Sequence, residues 1–180
     1  MGPRDLSVVV RPARPADLNE VGEIFGWYAA NSVATFEESP RPRSYWSRHA
    51  DELAGRGLPF LVAETGGAVT GYAYAAPWRH KPAYRFTVED SVFIAPGRTG
   101  EGIGRLLLTG LLTGCAEAGI RQVIAVIADT GDPASIHLHR ALGFARAGLL
   151  TGVGFKQGKW IDTVLMQRAL SPQDQRVGQC

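Results

Sequence analysis

The sequence predicts one domain of mixed α/β (α+β) class, and three observations carry that expectation. Its 180 residues and 19.4 kDa suit a single hydrophobic core. Two helical patterns precede a set of short strands joined by tight turns. A strand, a glycine-rich loop and a leucine-rich helix then follow one another in the second half. No repeat, low-complexity tract or linker divides the chain, so one domain is expected over 1–180. Its core is expected at about 6–170, with 171–180 as a polar, frayed tail.

In chain order, Leu6 to Val10 is a short β-rich run. After Pro15, Leu18, Val21, Phe25 and Tyr28 recur at three- and four-residue steps, the spacing of an amphipathic helix. Arg41-Pro42 precedes a second helix, Ser44 to Ala54, closed by Gly55 and Gly57. Phe60 to Glu64 reads as a strand, Gly66-Gly67 as a hairpin turn and Ala68 to Ala76 as the returning strand. Thr87 to Ile94 is the next strand, closed by Pro96-Gly97. Gly102 to Ala118 sets Leu107, Leu108, Leu111, Cys115 and Ala118 on one helical face and ends at Gly119. Gln122 to Ala128 is nearly all β-branched residues and alanine, the pattern of a strand buried on both faces. Asp132-Pro133 opens a short helix that runs through Leu142 and stops at Gly143. Phe144 to Leu149 and Trp160 to Gln167 complete a terminal strand pair around a glycine-rich loop.

Composition excludes several classes. Hydrophobic residues at 45% and charged ones at 20% are ordinary for a soluble globular chain, which argues against disorder. The longest apolar stretch, Val123 to Ala128, falls far short of the ~20 residues that span a bilayer. No secretory signal is expected, and Met1-Gly2 lacks the Ser or Thr that myristoylation wants at Leu6. Nineteen Lys plus Arg against 17 Asp plus Glu leave a net charge of +2 with no basic cluster in the sequence, so no nucleic-acid partner is expected. Two cysteines, Cys115 and Cys180, make no metal cluster and suit a reduced, cytoplasmic setting.

The central motif is Arg98-Thr99-Gly100-Glu101-Gly102-Ile103-Gly104, between the strand ending at Ile94 and the helix beginning near Gly102. A strand–glycine-loop–helix unit exposes unpaired N–H groups, and the helix N-terminus adds partial positive charge, together a cradle for phosphate. A nucleotide-hydrolysing loop needs Gly-Lys-Ser/Thr, and the lysine is missing. A dinucleotide fingerprint belongs to an N-terminal βαβ unit, whereas this loop lies past the middle of the chain. The competing reading is a glycine-rich turn with no ligand.

The loop resembles the pyrophosphate-binding segment of the GCN5-related N-acetyltransferase (GNAT) superfamily, whose pattern is Arg/Gln-x-x-Gly-x-Gly/Ala before a helix. With Gly102 and Gly104 on the two glycines, Thr99 takes the Arg/Gln position and Arg98 stands beside it. More specific segments are Thr35-Phe36-Glu37-Glu38, Pro77-Trp78-Arg79, the run from Pro82 to Val92, Ala134 to His139, and Gly154 to Asp162. In that order they resemble the phosphinothricin N-acetyltransferase family, which includes enzymes acting on methionine sulfone and methionine sulfoximine. The similarity runs from about Val8 to Leu170. It implies the GNAT fold, a mixed, largely antiparallel sheet of about seven strands flanked by about four helices. It further implies acetyl-CoA as cosubstrate, a small α-amino acid as acceptor, no metal, and a homodimer.

For the cofactor, the resemblance points to Val92, Phe93 and Ile94 on the strand, and to Arg98, Thr99, Gly100, Glu101, Gly102, Ile103, Gly104 and Arg105 in the loop. Asp132, where an Asn is frequent, and Ser135 complete that set. The strand is expected to pair with the pantetheine amides like an added β-strand, and a backbone N–H within it to meet the developing oxyanion. For the chemistry, an ammonium must lose a proton before it can attack, and a half-buried carboxylate can take it. Glu89 matches the family's proposed general base, and burial there would raise its pKa; an ion pair with a neighbouring Arg is the competing reading. Asp90 faces the other way by the period-two rule. The leaving thiolate wants a proton donor, and His139 matches the tyrosine position of many superfamily members. Its competitor is a structural, hydrogen-bonded histidine, and His137 lies roughly 200° round the helix.

Arg79 and Arg85 suit the acceptor's carboxylate or phosphinate, since guanidinium forks bind two oxygens at once. Phe36, Tyr84, Thr87 and Trp160 complete the substrate-binding set, and core packing is the alternative for the aromatics. Two other functions stay open. One is acetylation of another amine, such as a peptide N-terminus or polyamine, although Arg79, His80, Lys81 and Arg85 favour an anionic acceptor. The other is an acyl-CoA-binding sensor without turnover.

Overall fold

Glycine pairs and apolar periodicity place the elements, which a computed structural model describes for residues 7–170. The order is β1 (Val8–Pro12), α1 (Leu18–Asn31), α2 (Arg43–Gly55), β2 (Phe60–Thr65), β3 (Ala68–Pro77), β4 (Thr87–Ile94), α3 (Ile103–Glu117), β5 (Gln122–Ala128), α4 (Ala134–Ala141), β6 (Ala145–Lys156) and β7 (Lys159–Ala169). Single 3-10 turns occupy Pro15–Asp17 and Pro82–Tyr84. Gly66 and Gly67 at φ +61° and +88° give the β2–β3 hairpin a turn that matches strand twist.

The seven strands form one sheet in the order β1-β2-β3-β4-β5-β7-β6, antiparallel except for β4 beside β5. Helices α1 and α2 cover one face, where Phe25, Trp46, Phe60 and Tyr72 form an aromatic core. On the other face, Leu107, Leu108, Leu111 and Cys115 of α3 pack on Ala73, Val88 and Val123. Trp46 and these three α3 leucines are almost wholly buried, worth roughly 1.5–3 kcal/mol for each aliphatic side chain taken from water, whereas Leu106 of the same helix faces solvent.

β4 and β5 separate partway. They pair from Thr87↔Gln122 to Asp90↔Ala125 and no further, although β4 runs on to Ile94 and β5 stays paired with β7 to Ala128↔Thr163. The sheet therefore holds a V-shaped gap with Asp90 at its root.

Two expectations are corrected. β5 is not buried on both faces: Val123, Ala125 and Ile127 point into the core while Val126 is exposed, because only one face of this strand carries a helix. The terminal strands are longer than their apolar runs. Gly152 and Gly154 lie within β6, and the reversal falls at Gln157-Gly158, both at positive φ. Leu6, residues 171–180 and Cys180, with the expected tail, lie outside the described residues. Among those residues no helix is long and apolar enough to cross a membrane, and no cluster of His, Cys, Asp and Glu suits a metal ion.

Candidate active site

The gap supplies an open strand edge. The Ala95 N–H donates to the Thr70 carbonyl, so odd-numbered residues of β4 bond to β3 and even-numbered ones face the other way. Beyond Asp90, the amides of Val92 and Ile94 thus face the V, where β5 has already turned aside. The Ile94 carbonyl also accepts from the Tyr28 hydroxyl of α1 at 2.9 Å. Phe93 points to the α1 face, its ring against Phe25, Tyr28 and Tyr72, and its backbone is turned to β3. Of the three strand residues expected at the cofactor, it therefore offers the gap neither side chain nor amide.

The glycine loop continues that edge. Gly100 and Gly102 sit at φ +84° and +81°, and a Cβ at either would meet nothing within 4 Å. Their requirement is left-handed backbone beside open space, the conformation from which successive N–H groups can form an anion nest at the start of α3. Gly104 serves a different end: a Cβ there would stand 3.2 Å from Leu138, so it lets α3 approach α4. Ile103 is buried in the core and offers its backbone alone. Thr99 and Arg105 are exposed at the loop, and Arg98 donates from Nε to both oxygens of Glu101 at 2.8 Å, bracing the loop. Asp132 accepts the Ala134 N–H at 2.9 Å and so helps open α4. Open amides on a left-handed loop followed by a helix N-terminus fit a diphosphate.

Glu89 and Asp90 occupy opposite faces at the root of the V. Glu89 is half-buried on the α1–α2 side; burial and the nearby Asp90 raise its pKa above the ordinary carboxylate value, and Arg79 opposes them. Tyr74, opposite Ser91 in register, shares that side, and burial pushes its phenol up to about 12.

Asp90 is buried and accepts from His139 Nε2 at 2.9 Å, while His139 Nδ1 lies 2.7 Å from the Ser135 carbonyl. Both ring nitrogens face acceptors, so the ring donates from both as imidazolium. Burial alone would lower the His139 pKa, but Asp90 and the Ser135 carbonyl together raise it. His139 thus stands at the root of the gap in the hydrogen-bonded role, not as a donor with a free N–H. His137 is exposed, as the helix geometry requires.

Arg79, Tyr84, Arg85 and Thr87 gather around a cavity of about 380 Å³ with Arg56, His80 and Lys81 on its wall and no carboxylate. This basic cluster, built from the 79–85 stretch with Arg56 brought in from the end of α2, lies on the Val88 side of the β4 foot. The Arg79 and Arg85 guanidiniums stand 4.8 and 4.7 Å over the Trp78 and Phe86 rings. Arg79 joins the two regions, since it lines the cavity and acts electrostatically on Glu89. Phe36 lies over Gly154, where a Cβ would come 2.2 Å from its ring. Trp160 is not a buried pocket wall: it is 72% exposed beside Phe155.

Sequence reasoning missed Tyr74, Ser91 and Lys156, and it gave Asp90 no part. Tyr74 and Ser91 were readable as alternate positions on strands facing Glu89. Lys156 binds backbone oxygens, which leave no mark in a sequence.

The profile of the Acetyltransferase (GNAT) family matches residues 21–144. The phosphinothricin N-acetyltransferase of Alcaligenes faecalis is 47% identical over 165 residues, covering 92% of this chain and 84% of its own. An L-methionine sulfoximine/L-methionine sulfone acetyltransferase of Pseudomonas aeruginosa is 36% identical over 168 residues, covering 93% and 97%. A crystal structure of a GNAT superfamily phosphinothricin acetyltransferase from Sinorhizobium meliloti, in complex with acetyl-CoA, superposes with a TM-score of 0.87 at 45% identity, covering 91% and 89%.

Proposed function

The chain belongs to the GNAT acetyltransferase family, and from that membership we propose that it transfers the acetyl group of acetyl-CoA to the α-amino group of a small anionic amino acid. Phosphinothricin, methionine sulfone and methionine sulfoximine are the acceptors proposed, after the relatives named for them. The observation that carries the reading is the strand edge left open beyond Asp90, with a half-buried Glu89 at its root.

Acetyl-CoA supplies an activated acyl carbon and a thiolate leaving group. The amides of the Gly100–Gly104 loop take the diphosphate, and the even-numbered amides of β4 take the pantetheine chain. Glu89 accepts the ammonium proton, directly or through water, so that the nitrogen lone pair forms the new N–C bond. The Val92 N–H faces the carbonyl oxygen as that oxygen gains charge. The C–S bond then breaks, and the thiolate takes up the second proton, which the nitrogen sheds as it becomes a neutral amide. His139, held charged by Asp90, serves by fixing α4 against β4 and setting a cation near the leaving sulfur.

Arg79 steers the acceptor. Its charge reaches Glu89 on one side and the basic cavity on the other, so an amine at Glu89 leaves the acceptor's anionic groups toward Arg79 and Arg85. A polyamine would meet repulsion there. Two copies pair through the exposed apolar face of β6, and the buried, unpaired Cys115 thiol suits a reducing, cytoplasmic setting.

The test is thiol release from acetyl-CoA across a panel of amino acids, peptides and polyamines. Turnover is expected with the sulfone, sulfoximine or phosphinate amino acids. Saturable acetyl-CoA binding with no thiol release from any amine would instead make the protein a sensor, and preferential turnover of polyamines would reassign the acceptor.

A further inference from the structure

Nothing in the transfer chemistry above uses Lys156, yet three short bonds hold its ammonium. The side chain is 4% exposed and leaves the β6–β7 turn toward the segment that joins α1 to α2. Its Nζ donates to the carbonyls of Ser32 at 2.6 Å, Thr35 at 2.8 Å and Glu37 at 2.7 Å, with the Tyr28 carbonyl at 3.5 Å. An ammonium has three protons, and the three short bonds use them all. The acceptors belong to one stretch that begins in the last turn of α1, where the helix dipole favours a cation. The Glu37 carboxylate is itself paired with Arg41, so the lysine is held by backbone oxygens. An unpartnered ammonium buried at this depth would cost several kcal/mol, and the cage offsets that cost.

The stretch so fastened carries Phe36, whose ring lies over Gly154 of the same hairpin, where no side chain would fit. It lies on the Glu89 side of the sheet, since its Glu37 and Glu89 both act electrostatically on Tyr74. Its other end carries Tyr28, whose hydroxyl holds the Ile94 carbonyl at the open edge of β4. One segment therefore touches the hairpin and the cofactor strand together.

We propose that Lys156 is a positioning residue for the acceptor: by tying the β6–β7 hairpin to the α1–α2 segment it fixes Phe36 over Gly154 and so sets the wall against which the amino-acid side chain binds. This rests on the acetyltransferase reading of the cleft. The lysine acts on acceptor affinity through the Phe36 end of the segment. Tyr28 is carried by α1 and is the lysine's one long contact, at 3.5 Å, so the hold on Ile94, acetyl-CoA binding and the proton transfer at Glu89 stay as they are.

The test is steady-state kinetics of the full chain and its Lys156→Met variant with methionine sulfone, alongside calorimetry with acetyl-CoA. The variant is expected to raise the acceptor KM about tenfold or more, the worth of an apolar pocket contact, with kcat and the acetyl-CoA Kd changed by less than about threefold, the pattern of lost uniform binding. Phe36→Ala and Lys156→Met are expected to be non-additive in KM when combined, because both act through the same ring. An acceptor KM unchanged in Lys156→Met, or losses that fall equally on acetyl-CoA and acceptor, would overturn the proposal. If Lys156→Met does not fold, Lys156→Gln, which keeps two amide donors on a shorter stem, takes the same measurements with the same two outcomes. A parent chain inactive on every acceptor fails differently: it sinks the acetyltransferase reading itself.

Discussion

On β4, Glu89 turns toward α1 and α2 while Asp90 turns toward α4, and this alternation gives two adjacent carboxylates different duties. Glu89, half-buried and without a short ion pair among the described residues, has its pKa raised by burial and by Asp90, the direction a general base needs. Asp90 is spent on His139, both side chains almost completely buried. The folded state raises the His139 pKa, so the stabilisation it brings is complete below the unfolded value of about 6.5 and is lost as pH climbs through the folded value. The urea midpoint is expected to decline over that window in the parent chain. Asp90→Asn is expected to lower unfolding free energy by about 3–5 kcal/mol at pH 6 and to flatten the decline. Equal pH slopes in the two proteins would show that the pair does not carry this linkage. The Glu89–Asp90 alternation was legible from a period of two, but the partner of Asp90 was not, because His139 arrives from a helix far along the chain.

Among the elements, β4, α3 and β5 were legible because each shows its own periodicity between glycine or proline stops. The V between β4 and β5 was not, since a strand's hydrophobic pattern does not say where its ladder ends. β6 was under-read for a related reason. Gly152 and Gly154 look like loop residues, yet Gly154 belongs to a strand and its missing side chain makes room for Phe36. That strand also presents Leu149, Leu150, Val153 and Phe155 to solvent, beside Trp160 of β7. An edge strand so apolar wants a partner. Light scattering is expected to report twice the chain mass, and Leu149→Glu with Val153→Glu to halve it. A parent monomer at micromolar concentration would contradict the dimer.

At the scale of the whole molecule, separate faces of the sheet take separate tasks. The α3–α4 side ends in the glycine loop and holds the buried Asp90–His139 pair, while the α1–α2 side holds Glu89, Tyr74 and the segment fastened by Lys156. The open edge of β4 runs between them, and in the proposed reading a thioester lying in the V reaches Glu89 across the thickness of one strand. The proposed base would then meet the acceptor without being a cofactor ligand. The most direct measurement is kcat against pH for the parent and Glu89→Gln, with the acetyl-CoA Kd of both taken by calorimetry. The parent rate is expected to climb with pH as Glu89 ionises. The variant is expected to lose about a hundredfold or more in kcat, together with that acid limb, at an unchanged Kd. A variant that keeps the parent's rate and pH profile at neutral pH would contradict the assignment of Glu89 as the base.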